Sequence, residues 1–431
     1  MTITTTRALQ LFQVMRQGAV ILTSILLAKS GLSTADIGAY EVLLYIGTVL
    51  SFFWINGLLQ AMPPIYAKLD PEDRKAFIFN AFLLFCGFSI LLSTVLLVGR
   101  SGVVPLLTGL NSVPFFEIFC LFLLFNLPTY PVEYIYLLEK KPYHIVGWGM
   151  ASFGLQVMAV AVPLAFGLGL KGGISALLVL GILKWCWTFV LVLRSGVLKI
   201  RPDLMRGYLL FAWPLVLNIL IGNFVLMFDN WLVGWWYHDE AVFAVYRYGA
   251  RELPLAQALA TALGVALIPR LSEDFIGGLA DMRAMTRKLF HVLFPFTIVL
   301  LFISKPLFPL VFNPDFAHSA DLFNVYLLMT ASRVLLPNSI LLSKGEPRII
   351  LAVGLLELLM KVVLGFLLIQ YFGLPGVAWS AVAAFWVEKA GLIWYLKSKH
   401  QLNPAQYIDL KWYTFYIIAL AAAFAVSHWA F

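Results

Sequence analysis

Charge is what this chain has least of. Of its 431 residues only 12% are charged, while 61% are hydrophobic and the mean hydropathy is +0.90. That balance excludes an ordinary soluble domain and puts the chain among polytopic membrane proteins. Cysteine is almost missing as well. Cys86, Cys120 and Cys186 all fall in apolar segments, without the spacing of a metal site or a disulfide framework. The chain has no Gly-x-x-x-x-Gly-Lys-Ser/Thr loop, so ATP does not drive it directly. It has no His-Glu-x-x-His motif or Cys/His cluster either, and neither a metal nor a cofactor is expected. Long polar loops are also lacking. A membrane glycosyltransferase, polymerase or ligase needs a loop that carries catalytic groups, and the best candidate, around 305–321, is too small. Transport is the reading that survives.

What the chain does have is apolar length. Segments long enough to cross a bilayer occur at about 8–29, 37–62, 76–99, 113–138, 143–168 and 174–194. After a basic connector (Lys199, Arg201, Arg206) they resume at about 207–236, 241–268, 286–307, 321–343, 349–371 and 376–396, with a thirteenth at 411–430. The first is read as a retained helix, since no small-residue cleavage site leads into a polar mature domain. The organisation expected is a six-helix bundle over 1–198, a second over 199–400, and an extra C-terminal helix over 401–431. With the N-terminus inside, nineteen Lys and Arg fall on the cytoplasmic side, and only Lys29, Arg100, Lys171 and Lys305 fall outside. This is a positive-inside bias. The +8 net charge therefore reports topology and some affinity for anionic lipid, not nucleic-acid binding.

Seven cations remain inside spans: Arg16, Lys184, Arg247, Arg251, Arg333, Lys361 and Lys389. An ionisable group at that depth costs a few kcal/mol unless it faces water, a partner or a ligand. Lys361 stands four residues after Glu357, a spacing that favours an ion pair. Lys184 and Lys389 are expected to snorkel to the cytoplasmic interface. Arg16, Arg247 and Arg251 resist that explanation. Arg247 and Arg251 are four apart, hence on one face of a helix, and about 10–16 Å into the bilayer. They suggest an internal site for an anion.

The two halves of the chain resemble each other. Ala39-Tyr40 and Val245-Tyr246 are separated by 206 positions, as are Pro63 and Pro269. LLEKKPYHIV (137–146) matches LLSKGEPRII (341–350), and Lys184 corresponds to Lys389. Six spans separate equivalent points, so both copies enter the membrane in the same direction, which is a parallel repeat. The same offset sets Glu41 against Arg247. Either the two pair across a cleft between the bundles, or Glu41 lies near the outer interface and is simply solvated.

On these residues the chain resembles the polysaccharide-biosynthesis flippases of the multidrug, oligosaccharidyl-lipid and polysaccharide exporter superfamily. The likeness is carried by LAKSGLSTADIGAYEVLLYIGTVLSFFWINGLLQAMPPIYA (27–67) and by FDNWLVGWWYHDEAVFAVYRYGARELPLAQALATALGVALIPRLSE (228–273). In each, an acidic turn leads to a tyrosine; Asp229 precedes the second turn, and Pro269-Arg270-Leu271-Ser272 closes the eighth helix. The resemblance implies an all-α, V-shaped pair of bundles. It implies a flippase that carries a polyprenyl-pyrophosphate-linked oligosaccharide from the cytoplasmic to the periplasmic leaflet of a bacterial inner membrane. It also implies that Arg16, Arg247 and Arg251 contact the cargo, since basic residues on those helices do so in the family. A guanidinium fork suits a pyrophosphate. Tyr40, Tyr246 and Tyr248 either meet sugars or anchor the outer interface. Glu41, Asp229 and Glu252 are the candidates for gating or ion coupling. The expected partners are the lipid-linked oligosaccharide, membrane lipid and polysaccharide assembly proteins. A drug or cation antiporter of the same superfamily is the rival; it wants an anionic cavity, whereas the deep charges here are mostly positive. An integral-membrane glycan polymerase is the weaker alternative.

Overall fold

The computed structural model describes residues 4–430, and every regular element among them is a helix. The first six spans are built from α1 (Thr5–Lys29), α2 (Thr34–Lys68), α3 (Pro71–Val98), a short α4 (Arg100–Thr108), α5 (Phe116–Asn126), α6 (Val132–Leu138), α7 (Pro142–Ala165) and α8 (Gly169–Ser195). The rest comprises α9 (Pro202–Tyr237), α10 (Glu240–Gly249), α11 (Pro254–Glu273), α12 (Phe275–Val311), α13 (Ala317–Leu327), α14 (Met329–Arg333), α15 (Pro337–Ser343), α16 (Pro347–His400) and α17 (Leu410–Ala430). Proline recurs in the first turn of these helices, where its missing N–H costs nothing. Ser33 caps α2 by accepting from the Asp36 amide.

Among the described residues, twelve segments are long and apolar enough to cross a membrane. One of them, α16, has 54 residues, roughly 80 Å if straight against a hydrocarbon core of about 30 Å. It is not straight. Gly373 has φ 62° and ψ −139°, a backbone region open essentially to glycine alone. A side chain on Gly376 would collide with the Leu368 backbone, and one on Gly391 would touch Val353. Both contacts pair residues on either side of position 372, so α16 is a helical hairpin and supplies two crossings. The thirteen spans read from the sequence are accounted for.

Three spans expected as single helices are broken. The fourth is interrupted at 127–131 by Pro128 and Pro131, and the tenth divides into α13, α14 and α15 ahead of Pro337. The eighth, expected as one helix over 241–268, stops at Gly249 and restarts at Pro254. Leu253 is extended, with φ −66° and ψ 108°, as a residue before proline prefers.

The chain groups into two compact units. One holds Met1–Met227 with Gly234–Ala244, the other Phe228–Val233 with Val245–Phe431. In the first unit Phe12, Phe82, Tyr136 and Ile145 pack into one core, and Gly149 lets α7 approach Phe12 and Met15 of α1 closely. The connector after α8 is tied back: Asn80 donates to the Lys199 carbonyl and accepts from the Arg201 amide, both at 2.8 Å. In the second unit the core runs from Leu253 through Phe290, Phe294 and Leu341 to Tyr416 and Leu420 on α17. The thirteenth span is thus packed against α12, not appended loosely.

Candidate functional site

Because unpaired charge is costly in a bilayer, the charged side chains inside the spans mark the places to look. Most of those singled out by the sequence gather in three groups, two in the second unit and one in the first.

The first group follows from the break between α10 and α11. Arg247 lies on α10, but Arg251 lies in the non-helical stretch after it, so the two do not share a helix face as the spacing predicted. Pro254 ends the helix early and turns Arg251 back: its Nε donates to the Arg247 carbonyl at 3.3 Å, and its guanidinium lies 5.2 Å from the centre of the Tyr248 ring. Tyr248 is buried, stacked on Phe316 at 4.4 Å and edge-on to Phe312 at 5.0 Å. Gly249 is required here, since a side chain would strike the Ser319 carbonyl. Both arginines are half-buried. Non-helical backbone at membrane depth is tolerated where it is buried in protein or lines a cavity.

The second group is fully packed. Lys361 Nζ sits 2.9 Å from Asp229 Oδ2, and the Tyr326 hydroxyl donates to the same oxygen at 2.9 Å. Tyr326 is also bonded to the Tyr246 hydroxyl at 2.9 Å. All four side chains are buried. The sequence suggested Glu357 as the partner of Lys361; the ion pair drawn by the fold is with Asp229. Close by, Arg333 makes a two-pronged pair with Glu252, Nε and Nη2 each 2.7 Å from a carboxylate oxygen, and lies 4.1 Å from the centre of the Phe385 ring. Lys389 pairs with Glu388 at 2.9 Å and is buried, so it does not snorkel. Glu357 lies within electrostatic reach of Lys361, Lys389 and Arg333.

The third group lines a cleft within the first unit. Its walls are α1, α7, α8 and the broken span, and its lining includes Arg16, Glu133, Lys184, Asn126, Gln156 and Trp148. Lys184, expected to snorkel, donates instead to Asn126 Oδ1 at 2.9 Å and lies 6.0 Å from the Trp148 ring centre. Glu133 is only 3% exposed and within electrostatic reach of both Arg16 and Lys184. Arg16 stands 11 residues into α1, roughly 16 Å along its axis. The cleft is therefore deep in the membrane-spanning part of the unit.

Other residues singled out by the sequence have plainer settings. Tyr40 and Glu41 are buried within α2 at 4% and 3% exposure, so Glu41 is not simply solvated. Tyr246 is fully buried in the Asp229 network. Glu133 escaped the sequence reading although an acid in an apolar span two residues after Pro131 was a visible signal. The cations near it stand on other helices, with no local spacing to point to them.

The comparisons with known proteins agree on the architecture. A family model described as "Lipid II flippase MurJ" matches residues 49–431. Among solved structures the chain is similar to "Lipid II flippase MurJ, inward closed conformation", with TM-score 0.71 at 14% identity, covering 96% of this chain and 92% of that one. It is also similar to an inward-facing multidrug resistance MATE family transporter of the MOP superfamily, with TM-score 0.60 at 14% identity and 94% of each chain covered. The Vibrio cholerae MATE transporter VcmN, in its bent form, gives TM-score 0.53 at 15% identity, over 97% of this chain and 98% of that one. At such identities the likeness establishes the fold. Among curated proteins, none matches by sequence.

Proposed function

The chain belongs to the lipid II flippase MurJ family, and from that membership we propose that it translocates a polyprenyl-pyrophosphate-linked saccharide across a bacterial cytoplasmic membrane. The family is one of transporters, not enzymes. The observation that carries the reading is the family match over 49–431. The second unit adds a physical reason. Arg247 and Arg251 bracket the end of α10, and the N-terminus of α11 follows three residues later. Guanidinium forks and a helix N-terminus both favour phosphate oxygens. Broken helices whose half-helix N-termini face anionic cargo are a recurring device of transporters.

On this reading the arginines hold the charged head group while the lipid tail stays in the bilayer, and the cycle proceeds by alternating access. Arg16 is proposed as a further anion contact. Tyr246 and Tyr248 serve by holding the α10 segment in place, and Tyr40 by packing within α2. Asp229 and Glu252 already carry cations, so exchanging those partners is the switching event proposed for them; Glu41 is proposed for the same role. With the cell interior negative, outward movement of an anionic head group is favoured by about 2.3 kcal/mol per charge per 100 mV. The N-terminus is proposed to be cytoplasmic.

The cargo is either lipid II itself, as in the family's name, or a related precursor of a surface polysaccharide. Complementation of a strain depleted of its lipid II flippase separates the two: growth is rescued only in the first case. In whichever strain the wild type complements, the Arg247→Ala, Arg251→Ala double variant is expected to abolish transport at normal protein level. Full complementation by that variant would remove the arginines from the site.

A further inference from the structure

We propose that the cleft in the first unit is a binding site for a phosphorylated sugar or other polyol phosphate, and that Glu133 is the resident counter-ion that such a ligand displaces. The inference deepens the transport reading by naming a ligand class, and it is tested by binding alone, so that either can fail without the other.

Charge balance is the first reason. Arg16 and Lys184 share a single acid, Glu133, which leaves the cleft with one positive charge in excess. The corresponding region of the second unit is balanced the other way. There Arg333 and Lys389 meet Glu252, Glu357 and Glu388, with each cation already paired. The same repeat position, Lys184 in one copy and Lys389 in the other, is thus open to an incoming anion in one unit and closed in the other.

Burial is the second. Glu133 is 3% exposed, and among the described residues it forms no ion pair with either cation, although both charges are near enough to act on it. A buried carboxylate without a close ion-pair partner is costly to retain, and one that holds two cations loosely is suited to be replaced. A phosphate can accept from the Arg16 fork and the Lys184 ammonium together.

The remaining lining selects what the phosphate is attached to. Asn126 and Gln156 offer amides, and Trp148 offers an aromatic wall already stacked on Trp187 on one side, at 6.5 Å and 13° between the planes. Amides beside an indole face suit a polyhydroxylated ring. The span that carries Thr129 and Tyr130 into the cleft is broken there, which supplies irregular backbone at membrane depth beside a cavity. Such a ligand can come from the sugar end of the cargo or from a glycerol-phosphate lipid headgroup; the chemistry is shared.

The test is calorimetric titration of the full-length protein in neutral-lipid nanodiscs with glucose 1-phosphate, glycerol 3-phosphate and inorganic phosphate. Binding is expected for the two organic phosphates, about tenfold or more weaker in Lys184→Met and in Arg16→Gln, as loss of a charge-assisted hydrogen bond implies. The Glu133→Gln variant is expected to bind several-fold more tightly, a gain that neither misfolding nor a purely structural role can produce. Trp148→Leu should weaken glucose 1-phosphate and leave inorganic phosphate unchanged. Loss of the glucose 1-phosphate signal in nanodiscs of phosphatidylglycerol would identify the lipid headgroup as the occupant; persistence there points to the cargo. The proposal is overturned by absent binding of both organic phosphates, by binding that ignores Arg16 and Lys184, or by weaker binding in Glu133→Gln.

Discussion

At the scale of single residues, the arrangement around Asp229 shows why charge position can be read from a sequence while charge partnership cannot. Lys361 was visible as a cation in an apolar span, and Glu357 four residues earlier was its nearest acid in the chain. The fold brings Asp229 to it from a helix more than a hundred positions away. Removing one member of a buried pair leaves a bare charge and typically costs about 3–5 kcal/mol, whereas replacing both is often neutral. Lys361→Met is therefore expected to lower the thermal midpoint markedly in detergent, and the Asp229→Asn, Lys361→Met double variant to recover most of the loss. A double variant no better than the single one would show that the ammonium has a second role. The same limit explains Glu133, whose neighbouring cations Arg16 and Lys184 sit on α1 and α8. It explains the tyrosines too: Tyr246 and Tyr248 were legible as amphipathic side chains near an outer turn, but only packing shows them turned inward on Tyr326 and Phe316.

At the scale of elements, span positions were legible because twenty apolar residues leave few alternatives in a bilayer. The interruptions inside them were less so. Pro128, Pro131, Pro254 and Pro337 were all in view, yet proline inside a membrane helix is often tolerated, as at Pro63, Pro64 and Pro214 here. What decides the outcome is whether neighbours satisfy the freed backbone groups, and this is a property of packing. One loop has a feature that solution pH can test. Glu346, between α15 and α16, accepts from the Tyr395 hydroxyl at 2.9 Å and lies near His400 and Lys399 at the far end of the hairpin. These contacts, the tyrosine bond first, hold its carboxyl below the usual carboxylate range. A depressed carboxylate stabilises the folded state above its unfolded pKa, and that contribution disappears as pH falls through the folded value. Glu346→Gln should therefore melt earlier than wild type at neutral pH, with the gap closing on acidification through the carboxylate range. A gap that stayed constant down to that range would assign the effect to shape, not charge.

At the scale of the whole molecule, the sequence carries an expectation of which side of the membrane each loop occupies. Nineteen cations against four is a statement about insertion, made before any helix packs. Single cysteines placed in a cysteine-free background at Gly345 and Gly167 should be labelled by an impermeant thiol reagent from the cytoplasm and from outside, respectively. Labelling of both from one side would contradict the assignment. The route by which α17 reaches its packing against α12 then hangs on a turn met earlier. Thirteen is an odd number, and it is odd only because the chain doubles back at Gly373. A continuous rod through that point would make the count even and deliver α17 in the opposite sense, with Tyr413 and Tyr416 no longer facing Phe290 and Phe294. One residue with no side chain thus fixes the parity of the crossings.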